Sequence, residues 1–168
     1  MKAQDKMSIR GIFKLTVIDN VTGDVLDNYV DDNIVLDQGK DLIFKALTVV
    51  DTNNYKLSNL KLGTDIGDGT ELIPEPPTAD LTEADQDVLY TVNPANVTIT
   101  YPTTNSVMLS TTINGAVVMP LFPAEVNVTY TSAVLYTLGN QAIAYKRFPA
   151  RTISSLISID ISWTLILN

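Results

Sequence analysis

The sequence predicts a mainly β protein: an antiparallel β-sandwich, jelly-roll-like, with one short α-helix. Three observations carry this. Over residues 156–167, Ile157, Ile159, Ile161, Trp163, Leu165 and Leu167 alternate with Ser158, Asp160, Ser162 and Thr164, broken only by Ile166; period two at this length is a strand with one buried face. Shorter runs of the same kind recur along the chain between Gly, Asn and Pro turn signals. Only residues 37–50 show helical spacing.

The last strand sets the plan. Burying a large apolar side chain stabilises by about 1.5 to 3 kcal/mol, while fixing each residue's backbone costs about 1 to 2 kcal/mol. Burial alone does not hold so long a strand, so it needs ladder partners on both sides and belongs at the centre of a sheet.

The first strand, residues 8–19, sets Ile9, Gly11, Phe13, Leu15 and Val17 against Arg10, Lys14 and Thr16. A turn at residues 20–24, with Gly23 free to take positive φ, leads into a returning strand at 25–36. Asp27, Asn28, Asp31 and Asp32 interrupt that strand, as in a bulged or edge strand. In the helix, Asp37 serves as N-cap and Leu42, Ile43, Ala46 and Leu47 share a face. Three turns are marginal in water, so the helix must pack against the sheets. Strands follow at 57–62, 88–92, 97–101, 107–113, 116–119 and 126–131, with Asn114-Gly115 as a hairpin turn. Residues 134–138 and 142–148 form another hairpin around Gly139-Asn140. The expected core is Phe13, Leu15, Val17, Leu42, Ile43, Leu47, Ile157, Ile159, Ile161, Trp163 and Leu165.

Residues 64–84 read differently. Asp65, Asp68 and Glu71 stand among glycines, then Leu72, Ile73, Pro74, Pro76 and Pro77 follow. Clustered prolines favour extended polyproline geometry and cannot join a central ladder. The expectation is an arm reaching a neighbouring subunit through Ile66, Leu72, Ile73, Pro74, Pro76 and Pro77, the plainer reading being a long loop. Asp65, Asp68 and Glu71 are a weak calcium candidate, since EF-hand spacing is missing.

At 168 residues the chain suits a single domain. It is 45% hydrophobic and only 18% charged, with a net charge of -8. No basic stripe exists to displace counterions from phosphates, which argues against a nucleic-acid partner; Lys40, Lys45, Lys56, Lys61, Lys146 and Arg147 read as solvated faces. Without Cys or His, disulfides, thiolate chemistry and His-based catalysis fall away. No catalytic residue and no cofactor is expected. The start carries no signal-peptide-like run and no stretch is long enough to span a membrane, so the expected setting is a cytoplasm or a particle assembled in one.

Carboxylates are then the remaining acid-base groups. Asp31 and Asp32, as strand neighbours, point to opposite faces, and Glu83, Asp85 and Asp87 form the other cluster. Tyr90, Tyr101, Tyr130, Tyr136 and Tyr145 could offer a sugar-binding face, but their alternation fits packing better.

Several motifs together resemble small structural proteins of tailed bacteriophages. These are Thr22-Gly23-Asp24 in the first hairpin, Asn33-Ile34-Val35 ahead of Gly39, Leu60-Lys61-Leu62-Gly63-Thr64 before the Pro-rich stretch, and Leu81-Thr82-Glu83 after it. Leu135-Tyr136, Phe148-Pro149 and the series Ile159-Asp160-Ile161-Ser162-Trp163-Thr164 complete the pattern. It departs before Leu135, where Ser132-Ala133-Val134 replace an acidic residue. The resemblance implies a virion component of the tail, baseplate or fibre-attachment region, forming a homo-oligomer or ring with copies of itself and other virion proteins. A capsid decoration or head-fibre protein, and a carbohydrate-binding host-attachment module, are the alternatives.

Overall fold

The alternating strand predicted at the C-terminus is β9 (Ile157–Leu167), and it takes ladder partners on both sides, β1 (Ile9–Asp19) and β6 (Ser106–Asn114), both antiparallel. The computed structural model describes residues 8–48, 55–65 and 86–168. The other elements are β2 (Val25–Val35), α1 (Asp37–Thr48), β3 (Leu57–Asp65), β4 (Gln86–Thr91), β5 (Thr98–Thr103), the single turn α2 (Gly115–Val118), β7 (Val128–Thr137) and β8 (Ala142–Ile153). They hydrogen-bond in the order β4-β3-β7-β8-β2-β1-β9-β6-β5. This succession folds over at β2, so that two antiparallel sheets pack face to face as a sandwich. Most of β2 pairs with β1, and only Ile34 and Val35 pair with β8.

The inward residues of both sheets share one core. Phe13 of β1 stacks on Phe148 of β8 at 5.4 Å and meets Trp163 of β9 edge-on at 5.1 Å; such aromatic pairs add about 0.5 to 1.5 kcal/mol beyond their buried area. Leu15, Val17, Leu42, Ile159, Ile161, Trp163 and Leu165 are buried with them, while Ile43 and Ile157 are half-buried. The side chain of Leu47 lies outside the described residues.

Where β2 leaves the ladder, ion pairs close the corner. Lys146 of β8, 4% exposed, donates to Asp31 Oδ2 at 2.9 Å and to the Asp32 carbonyl at 2.7 Å. Arg151 pairs with Asp27 at 2.7 Å. The acidic residues that read as edge guards are therefore ties across the corner. Two of the expected solvated lysines are inside: Lys146 here, and Lys61, which is 7% exposed and sits 4.2 Å from the Tyr136 ring centroid. The expected bulge is present, since Val17 faces Asp27 and Ile18 faces Val25.

Two readings of the middle of the chain are corrected. Asn114-Gly115 is not a hairpin turn: the Asn114 side chain accepts from the Ala116 N–H and caps α2, so residues 116–119 are helical rather than a strand. A Cβ on Gly115 would lie 1.9 Å from the Ser154 carbonyl oxygen, and glycine is what lets α2 rest on the β8–β9 turn. The strands expected at 126–131 and 134–138 are one strand, β7, with a register shift between Tyr130 and Ser132. Gly23, at φ 78°, makes the β1–β2 turn as expected.

Candidate functional site

The helix-to-strand junctions divide the sandwich into two unlike ends. At one, here the α1 end, lie the start of β1, α1, the start of β3, the β5–β6 turn and the C-terminus. At the other, the α2 end, lie the β1–β2 turn, α2 and the β8–β9 turn; β3 runs towards it, away from α1.

The α1 end holds an open apolar groove of about 530 Å³. Leu42 and Ile43 of α1 form one wall, Tyr55 and Leu57 another, and Tyr101, Val107 and Leu167 line the mouth. Tyr101 is 77% exposed there.

A second concavity, about 580 Å³, lies on the outer face of the five-stranded sheet. It is built by register. Asp160 of β9 stands between Thr16 of β1 and Thr112 of β6, and Ser162 stands between Lys14 and Ser110. Thr112 donates to Asp160 Oδ1 at 2.6 Å. Thr98 and Asn96 close one side. A trough of hydroxyls with one ammonium and one carboxylate suits a polyhydroxylated ligand, and no aromatic platform lines it.

Asp31 and Asp32 point to opposite faces, as expected of strand neighbours. Asp31 is held by Lys146 and accepts from the Tyr29 hydroxyl at 3.0 Å, while Asp32 faces away and takes both Nε and Nη2 of Arg10. The Lys146 hydrogen bond holds the Asp31 carboxyl below its usual value. Burial pushes the Tyr29 phenol up, helped by its bond to Asp31. Each carboxylate is matched to its own cation, so the two share no proton and frame no water.

Of the tyrosines, Tyr130, Tyr136 and Tyr145 are buried, Tyr90 is half-buried against the core and only Tyr101 is largely exposed. They make no common face. Asp65 ends β3, where its backbone faces Gln86; its side chain, Asp68 and Glu71 lie outside the described residues. So do Ile66, Leu72, Ile73, Pro74, Pro76 and Pro77, together with Glu83, Asp85 and the Asp87 side chain. Among the described residues no group of three or more acidic side chains is placed to hold a metal ion. No helix among them is long and apolar enough to cross a membrane.

Fold and surfaces together define a mainly β, two-sheet scaffold. No protein-family model, curated protein or solved structure matches this chain; the likeness to phage structural proteins rests on the sequence motifs alone.

Proposed function

We propose that the chain is a non-enzymatic structural protein of a tailed-bacteriophage virion, working by protein–protein contacts in the tail, baseplate or fibre-attachment region. The observation that carries this reading is where the apolar surface lies. Scattered exposed apolar residues are ordinary, and Leu26 and Val30 of β2 and Ile99 of β5 are of that kind, but Val21, Val117, Leu121, Val126 and Leu156 stand together on the turns of the α2 end, and Tyr101 stands at the α1 groove. Exposed apolar clusters of this kind mark contact surfaces. The phage motifs supply the setting. Antibody labelling of purified particles under the electron microscope tests it: label on tail or baseplate is expected, label on the head selects the capsid decoration or head-fibre alternative, and particles free of the chain contradict both.

The hydroxyl-lined trough favours a second reading, a carbohydrate-binding module for host attachment. A glycan array with and without a chelator separates the two. Binding lost in Lys14→Ala or Asp160→Asn would support the module; silence in both conditions dismisses it.

A further inference from the structure

We infer that the sandwich interior binds a single water molecule, which bridges the hydroxyl of Thr111 and the indole N–H of Trp163. This goes beyond the structural-protein reading and does not depend on it. The inward positions of β6 read Leu109, Thr111, Ile113, so a hydroxyl stands where the alternation calls for an apolar side chain. Thr111 is 8% exposed and Trp163 1%, and neither Thr111 Oγ1 nor Trp163 Nε1 has a hydrogen-bond partner among the described residues. A buried polar atom left unpaired costs its full desolvation, and folded interiors pair nearly all such atoms with protein or with water.

The two unpaired groups meet at one cavity. Thr111 faces Ile161 of β9 across the ladder, and Trp163 faces Leu109 of β6, which makes Thr111 and Trp163 diagonal neighbours on adjoining strands. Both line a cavity of about 10 Å³, with Leu60 and Leu135 of the opposing sheet and Val97 beside them. That volume takes one water and nothing larger. Diagonal neighbours stand about 7 to 8 Å apart, a span over which a polar pair meets through a bridging molecule. The chemistry is complementary, since an indole N–H can only donate, while a water can accept from it and also share a hydrogen bond with a hydroxyl. An apolar occupant would leave both groups unpaired. The bridge ties β6 to β9 inside the core and holds the plane of the Trp163 ring, which stands edge-on to Phe13.

A crystal structure of the chain tests this. It should show an ordered solvent oxygen within hydrogen-bond distance of both Thr111 Oγ1 and Trp163 Nε1. The same site should be lost in Thr111→Val, which puts a methyl group in place of the hydroxyl. Trp163 is the only Trp, so its indole N–H gives a single magnetic-resonance signal. Cross-relaxation from a long-lived water should reach that signal in the wild-type chain and not in Thr111→Val. No solvent oxygen between the two groups in the wild-type crystal, a direct hydrogen bond from Trp163 Nε1 to Thr111 Oγ1, or a water that stays in place in Thr111→Val each overturn the inference. Should Thr111→Val fail to fold, the wild-type crystal structure decides alone.

Discussion

Tyr130 is fully buried and its hydroxyl has no hydrogen-bond partner among the described residues. Burial, with the nearby Tyr90 adding to it, pushes its phenol from 10.0 up to about 12. The folded chain therefore holds this proton more tightly than the unfolded one. The stabilisation is fully present below pH 10 and is lost as the pH rises through about 12. Tyr130→Phe removes the titrating group and strands no partner. It should leave stability at about pH 8 unchanged or up to about 1 kcal/mol higher, and should show a smaller loss at about pH 11 than wild type; urea midpoints at the two pH values check both. Lys146 works in the opposite sense. Lys146→Met keeps the packing but leaves the Asp32 carbonyl without this donor, a loss of about 1 to 3 kcal/mol. Asp31, depressed by Lys146, contributes stability present above its ordinary 3.8 and lost as the pH falls through its lower folded value. That acid-side loss should shrink in Lys146→Met when unfolding is followed from neutral pH to below the ordinary carboxylate range.

At the level of elements, β9 was legible because alternation and burial have the same period, and Ile159, Ile161, Trp163 and Leu165 are all buried on its inner face. The β1–β2 and β7–β8 hairpins were legible from their turn signals, Gly23 and Gly139-Asn140, even though residues 132–137 and 142–146 are buried without alternation. Asn114-Gly115 misled because one dipeptide answers two needs: Asn both favours tight turns and caps helices, and Gly both permits positive φ and admits a close neighbour. Here the neighbour decides, the Ser154 carbonyl at 1.9 Å from the site of a Cβ. The two roles predict different mutants. In a two-residue hairpin turn both residues need positive φ and both alanine substitutions would hurt alike. In the observed arrangement Gly115→Ala forces backbone against backbone, about 1 to 3 kcal/mol or more, whereas Asn114→Ala loses one cap bond, about 1 kcal/mol. Thermal melts of the two variants should differ in that order.

For the molecule as a whole, the sheets could be read from the sequence and the surfaces could not. Lys146 looks like any exposed lysine because its partner Asp31 lies 115 residues away. The trough is assembled from single Thr, Ser, Lys and Asp residues on β1, β9, β6 and β5, each unremarkable on its own strand. The groove at the α1 end is lined from α1, β3, β5, β6 and β9, segments far apart in the chain, which no local pattern records. The structural-protein proposal takes the ends of the sandwich as its contact surfaces. Oxidative footprinting by mass spectrometry, comparing the free chain with the chain in purified phage particles, tests this most directly. Tyr101, Leu121, Val126 and Leu156 should lose labelling on assembly while Met108, on the outer face of the five-stranded sheet, keeps it; unchanged labelling at both ends, with protection on the outer sheet face instead, would contradict the account.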